Sequence, residues 1–236
     1  MMDDPMTEPE HMLNVEMHVH TVYSYDGYIT LAGLDRACSR RGIDVVAVTD
    51  HDEIEGAMRA AELYQAGLFR TRVIVGQEVT TSQGEIIGLF LTESIQPGMT
   101  LAETIHAIRA QKGLVCLNHP YGYQRRSAEL DLDAVEALME RIDIVETFNA
   151  RTSAQGNLQA AQLARVHNKP QCLGSDAHSV WEIARSRMTM PDFADPEGFL
   201  TSLAKASFHR RPCPSAYRAA FKLRKLLWPR PVEAAA

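Results

Sequence analysis

Apolar residues in this chain fall into short runs separated by longer amphipathic stretches. The runs are VEMHVH (15–20), DVVAVTD (44–50), RVIVGQEVTT (72–81), EIIGLFL (85–91), GLVCLNH (113–119), IDIVETFN (142–149) and QCLGSDA (171–177). They are short, rich in β-branched residues and flanked by turn formers, a pattern that suits strands buried on both faces. Between them, TLAGLDRACSRRG (30–42) offers Thr30 as a helix cap and Gly42 as a stop signal. TLAETIHAIRAQKG (100–113) repeats the pattern, with Leu101, Ile105 and Ile108 on one face. Segments near 55–66, 131–140 and 154–168 read as helices in the same way. Strand and helix alternate, which predicts an α/β fold with a mainly parallel sheet.

The polar residues interrupt this pattern at particular places. His20, Asp50 with His51, Glu78, His119, Glu146 with Asn149, and Asp176 with His178 all lie at or just past the C-terminal end of a predicted strand. A (β/α) barrel gathers those ends around one mouth, where active sites are built. A doubly wound open sheet would spread them along a line. Seven predicted strands make the expected barrel a small or irregular one.

Composition narrows the class. The chain has 236 residues, 45% hydrophobic and 23% charged, with a net charge of −6. That length buries a large core without staples, and the negative balance argues against nucleic acid as the main partner. Cys38, Cys116, Cys172 and Cys213 show no CxxC spacing, and Cys116 and Cys172 fall inside apolar runs, so reduced, buried thiols are expected. Residues 1–11 are acidic and polar, read as a disordered leader without the apolar stretch of a signal peptide. No apolar run approaches transmembrane length, and the expected location is cytoplasmic. Residues 12–206 are expected to form the barrel and 207–236 a basic C-terminal helix and tail.

HxH on a strand sends both imidazoles to one face, about 6–7 Å apart, where they can converge on one divalent ion. Alone it is weak, because a solvated pair on an antiparallel sheet reads the same way. Its company decides. VTDHDEIEG places His51 between two aspartates, VGQEVTT supplies Glu78, LNHPYG supplies His119, and LGSDAHS supplies Asp176 and His178. Five of the nine histidines occupy such strand ends. Imidazole and carboxylate together suit Zn, Mn or Fe, and a carboxylate such as Glu78 can bridge two ions.

The ordered set MHVHTVYSYDG, AVTDHD, GQEVTT, NHPYG and GSDAHS resembles the PHP (polymerase and histidinol phosphatase) family over about residues 13–185. The resemblance implies a distorted (β/α)7 TIM-like barrel that holds two or three divalent ions and hydrolyses phosphate esters. Carried over by position, it implies one ion on His18, His20, Glu78 and Asp176, a second on Glu78 and His119, and a third on Asp26, His51 and His178. Two departures stand out. Asp26 replaces a histidine of the fuller sites, and the segment TTSQGEIIGLFLTESIQPGM (80–99) lacks a further histidine that trinuclear members place between the Glu and HP motifs. The second ion is thereby left with few protein ligands.

The mechanism so implied uses a hydroxide made available near neutrality, attacking phosphorus in line. The substrate would be a small phosphorylated metabolite or a nucleotide, as monoester or diester. Asp176 or Asp50 would handle the proton. Arg125 and Arg126, just after HPYGYQ, and Arg151, in FNAR, are candidate phosphate clamps. Asn149 and Glu146 are candidates for substrate contact or for orienting the ligands. An amidohydrolase-like metal barrel and a non-catalytic PHP binding module are the competing readings.

Other signals are weaker. Asp52 is expected to cap the following helix and Asp50 to orient an imidazole. Ser24, Ser175 and Thr49 lack the context of a nucleophile and are expected to support ligands. His11, His106, His167 and His209 have no strand-end company and read as exposed. SFHRRPCPSAYRAAFKLRKLLWPRP (207–231) is basic, with a helix expected over 215–228. It is expected to pack on the acidic barrel or on a second subunit, with nucleic acid or a membrane surface as the alternative ligand.

Overall fold

A computed structural model describes residues 10–122 and 130–227. In chain order the elements are β1 (Met12–Val19), α1 (Leu31–Arg41), β2 (Val45–Val48), α2 (Glu55–Gln65), β3 (Arg72–Thr81), β4 (Gly84–Leu89), α3 (Leu101–Ala110), β5 (Leu114–Leu117), α4 (Leu132–Leu138), β6 (Ile144–Asn149), α5 (Ala154–Val166), β7 (Gln171–Gly174), β8 (Ser186–Pro191), α6 (Pro196–Leu203), β9 (Ser207–Arg210) and α7 (Ser215–Leu227). Each of the seven runs read from the sequence forms a strand. β8, β9 and α6 were not foreseen, because SRMTMP alternates weakly and SFHR is mostly exposed. The expected caps form: Thr30 accepts from Gly33 N, and Thr100 and Glu103 make a reciprocal capping box at α3. Asp52 does not cap α2. Its residue sits at φ +55°, and its carboxylate instead accepts from Thr80 N at 2.7 Å in the neighbouring strand.

The strands form one sheet in the order β7-β6-β5-β4-β3-β2-β1-β8-β9. It curls until the end of β7 meets β1, where His20 N donates to Ala177 O at 2.8 Å and Ala177 N to His18 O at 3.1 Å. The result is a nearly closed barrel. Away from this closure β1 pairs with β8, from Met12 opposite Pro191 to Val15 opposite Met188.

The sheet is less parallel than the pattern suggested. β4 runs antiparallel to both β3 and β5, and β8 runs antiparallel to β1 and β9. Only Ser82 and Gln83 separate β3 from β4. A parallel crossover needs about a dozen residues, so the chain can only form a hairpin there. β4 therefore starts at the mouth of the barrel and ends at its floor.

The barrel interior is filled by Val15, Met17, Ala47, Ile74, Leu89, Cys116, Ile144 and Cys172, with Phe193 and Phe199 in the same cluster. The rings of Phe193 and Phe199 meet edge to face at 5.0 Å, and Phe90 packs on Phe199 at 5.6 Å. None of the four cysteines is in a disulfide and all are buried, as expected; Cys116 and Cys172 lie with their sulfurs 3.6 Å apart. Outside the barrel, Ile86, Val115, Leu117 and Val145 meet Leu101, Ile105 and Ile108 of α3. Val46, Val48 and Val19 meet Leu34, Ala37 and Cys38 of α1.

Strict alternation along β1 would put Val19 on the face of Val15 and Met17, opposite both histidines. The register against β2 instead slips by one residue between Glu16 and Val19. This bulge turns Val19 outward onto α1 and swings His18 and His20 into the mouth. A second slip, between Glu146 and Phe148 of β6, brings Asn149 to the face of Glu146, whose carboxylate it meets at 3.1 Å. No helix among the described residues is long and apolar enough to cross a membrane.

Candidate metal centre

Glu78, fully buried near the end of β3, is the hub of the mouth. Its carboxylate lies 3.1 Å from His18 Nε2, 3.2 Å from His20 Nε2, 3.4 Å from His51 Nδ1 and 2.9 Å from His119 Nε2. Asn118 donates to the same carboxylate. Asp176 Oδ1 lies 3.4 Å from His20 Nε2 and 4.0 Å from His18 Nε2. Next to this inner set stands an outer one. Asp26 lies 3.3 Å from His178 Nε2 and 3.8 Å from His51 Nε2. His20 joins the two, its ring 4.2 Å from that of His178 and 4.5 Å from that of His51. All eight expected ligand residues therefore meet in one mouth. Their atoms form overlapping groups, His18–His20–Asp176, His18–Glu78–His119 and His20–Asp26–His51–His178, each within 4.8 Å.

The supports are buried carboxylates and amides. Glu146 takes His18 Nδ1 at 3.0 Å on one oxygen, and accepts His119 N at 2.8 Å and Asn149 Nδ2 at 3.1 Å on the other. A carboxylate behind a ligand imidazole fixes its tautomer and ring plane. Gly174 leaves room for this contact, since a Cβ there would overlap the Glu146 carboxylate and lie 2.6 Å from His18 Cβ. Asn149 also reaches Asp176 at 3.4 Å and accepts from Arg151 N at 2.9 Å. Asp50 is spent on Thr21, accepting its N at 2.5 Å and its hydroxyl at 2.7 Å, and so fixes the backbone just after His20. Ser24 donates to Asp26 at 3.1 Å. Two residues that hold the mouth are left-handed without being glycine, His119 (φ +26°) and Asp176 (φ +51°). Such strain gathers at functional sites.

Sequence reasoning passed over four polar residues here. Glu16, buried in β1, accepts Ser175 N at 3.0 Å, Ser175 Oγ at 2.5 Å and Ala184 N at 2.9 Å, stapling the GSD segment to the barrel. Asn118 and Glu182 are the next two; Glu182 accepts from His178 N at 3.0 Å. The fourth is Glu85 of β4, 3.9 Å from His51 Nδ1. Signals for two were present: Glu16 is an acid inside an apolar run, and Asn118 lies just past the end of β5 beside His119; Glu85 and Glu182 follow no strand-end rule.

Arg151 lies at the rim, one-fifth exposed, with Nη1 2.7 Å from His178 Nδ1, Nη1 3.9 Å from Asp176 and Nε 3.4 Å from Glu182. Tyr25 is exposed and stacks on His51 at 4.9 Å. Arg125 and Arg126 lie outside the described residues. His11, His106 and His209 are exposed, and His167 is partly exposed and pairs with Glu136 at 3.1 Å.

The two halves of the mouth titrate oppositely. Burial presses His20 and His119 down, but neighbouring carboxylates, Glu78 above all for His119 and Asp176 with Glu78 for His20, hold both up at about 9. His18 is likewise raised, by Glu78, Glu146 and Asp176 against its burial. Burial opposes ionisation of Glu78 and Asp176, yet the facing imidazoles hold both well below the carboxylate range. In the outer half burial dominates: it pushes His51 down to about 3, and with His20 and Arg151 it also lowers His178. Burial raises Asp50 to about 6.

Divalent ions fit these residues. Both ring nitrogens of His20, Nδ1 of His51 and Nδ1 of His119 are buried and make no hydrogen bond, although they sit among carboxylates. Orphaned buried imidazole nitrogens are costly, and a metal is the partner that satisfies them.

A family model described as PHP domain matches residues 16–183. An uncharacterised protein of Methanocaldococcus jannaschii is 30% identical over 201 residues, covering 81% of this chain and 79% of that one. A protein of Caldicellulosiruptor saccharolyticus named as a probable phosphatase is 25% identical over 206 residues, 75% of this chain and 85% of its own. Among solved structures, a two-domain protein of Bacteroides vulgatus, described as containing a "predicted PHP-like metal-dependent phosphoesterase", superposes with a TM-score of 0.68. That match covers 89% of this chain and 68% of the other at 19% identity, and it speaks to the fold alone.

Proposed function

Because this chain belongs to the PHP domain family, we propose that it is a metal-dependent hydrolase that cleaves a phosphate ester of a small metabolite or nucleotide. The observation that carries this reading is Glu78 within 3.4 Å of four imidazoles, three of which, His20, His51 and His119, keep buried nitrogens that make no hydrogen bond. His18, His20, Glu78, Asp176 and His119 would hold the inner ions, and Asp26, His51 and His178 an outer one. Ions bound there supply Lewis acidity and make hydroxide available near neutral pH.

The chain's own groups do the remainder. Glu146 orients His18 and anchors the backbone of His119, and Asp50 fixes Thr21. Asp176, kept ionised by its imidazole neighbours, is the carboxylate at the mouth placed to accept a proton on Oδ1. Arg151 presents a guanidinium at the rim, where two of its N–H groups can take the non-bridging phosphate oxygens. Tyr25 bounds the mouth beside His51.

The test is hydrolysis of a panel of aryl phosphate mono- and diesters by protein stripped with a chelator and reloaded with Mn, Zn or Fe. Phosphate release that is lost on stripping, returns on reloading and is abolished in His20→Ala supports the reading. Turnover of an amide and lactone panel alone would move the chain to amidohydrolase-type chemistry, and metal-free protein inert to every ester would make it a binding module.

A further inference from the structure

We propose that Glu85 is a ligand of the metal centre, completing a position with Glu78 and His51. The inference rests on the metal-dependent reading above and deepens it. The segment 80–99 holds no histidine, and the strand-end pattern gives no reason to look within it. The reversal of β4 supplies that reason. Because β4 runs from mouth to floor, its polar residue at the mouth stands at the start of the strand, not at its end.

The register fixes where Glu85 points. Ile87 lies opposite Glu78 and packs in the barrel interior. Glu85 is two residues earlier, opposite Thr80, so it shares the inward face one step nearer the mouth. Its residue is buried, 7% exposed. Its carboxylate lies 3.9 Å from His51 Nδ1, which is itself 3.4 Å from Glu78. One ligand atom from each of the three falls within 4.8 Å of the others.

An independent observation points to a ligand there. His51 Nδ1 is buried, makes no hydrogen bond, and faces both carboxylates. Two carboxylates and a single imidazole form an oxygen-rich set, which favours Mn(II) over the imidazole-rich preference for Zn(II). A neutral imidazole has one lone pair, so Nδ1 of His51 serves this position when Nε2, which lies 3.8 Å from Asp26, carries the proton.

The test counts ions rather than turnover. Full-length protein is stripped, reloaded with Mn(II), dialysed and assayed by elemental analysis, with Mn(II) titration followed by electron paramagnetic resonance. Glu85→Gln is expected to bind one ion fewer per chain than the native protein, or to hold it at least about tenfold more weakly. Glu85→His, which restores a ligand, keeps the native count, and Glu93→Gln, on an exposed loop, leaves it unchanged. A native count and affinity in Glu85→Gln overturns the assignment of Glu85 while leaving the metal centre standing. Native protein that takes up no Mn, Zn or Fe overturns both.

Discussion

The inner and outer halves of the mouth are built from the same residue types but shift their imidazoles in opposite directions. In the inner half Glu78, Asp176 and Glu146 face His18, His20 and His119, and the carboxylates hold these imidazoles protonated to well above neutrality. In the outer half His51 and His178 share Asp26, and burial keeps them neutral. Arg151 adds a fixed positive charge beside His178. A metal needs neutral imidazole. The outer half thus presents its histidines ready, whereas the inner half must shed protons before it can be loaded. The ratio of buried carboxylate to imidazole sets this difference, not the identity of the ligands.

The largest effect that would sharpen the comparison is removal of the hub. Glu78→Gln is expected to lower phosphatase kcat/KM by about 10³-fold, roughly 4 kcal/mol of barrier, with loss of the inner ions. Retention of inner ions in this variant, counted by elemental analysis, would break the division between the halves. A smaller effect is expected for Glu146→Gln. It unties His18 without removing a ligand, so inner-ion affinity should fall about 10–100-fold while the outer ion is unaffected, as read by metal titration.

The third expectation concerns pH in chelator-treated protein. His20 and His119 have folded pKa values of about 9, above the ordinary 6.5, so their stabilisation is present below 6.5 and is lost as pH rises through 9. His51, at about 3, works the other way. Between 6.5 and 3 the unfolded chain binds the proton that the folded chain refuses, and stability falls as pH falls. Thermal melts without metal should therefore fall on an alkaline limb above pH 6.5, whereas below it His51 is opposed by Asp50, raised to about 6, which loses stability as pH rises. His119→Ala is expected to flatten the alkaline limb, and His51→Ala to leave Asp50 unopposed on the acid limb between pH 6.5 and 5. Loading with Mn(II) at pH 7 should release protons, measurable in a weakly buffered indicator solution, and the release should be smaller in His119→Ala. Identical limbs in both variants would erase the contrast.

How far the sequence reached differs by level. Periodicity located seven strands and the helices between them, because a strand buried on both faces must be apolar and short whatever its neighbours are. It missed β8, β9 and α6, which lean on one side of the barrel and carry diluted patterns. The strand-end rule gathered His20, His51, Glu78, His119, Asp176 and His178, since parallel βα units must bring those ends together. The same rule was blind to Glu85, because it assumes strands that all run one way, and the hairpin at Ser82–Gln83 reverses β4.

The sequence by itself determined the ligand types, their order and the mouth to which most of them belong, because residue chemistry and strand polarity are local properties. Only the tertiary structure decided which face each side chain takes. One extra residue in β1 turns the two histidines inward and Val19 outward, and one in β6 brings Asn149 to the side of Glu146; a bulge is set by pairing with a neighbour that the local sequence does not name. Only the tertiary structure, likewise, decided the charge of each half. A histidine's proton follows from how many carboxylates are buried around it, and those carboxylates arrive from β3, β4, β6 and the loops after β1 and β7.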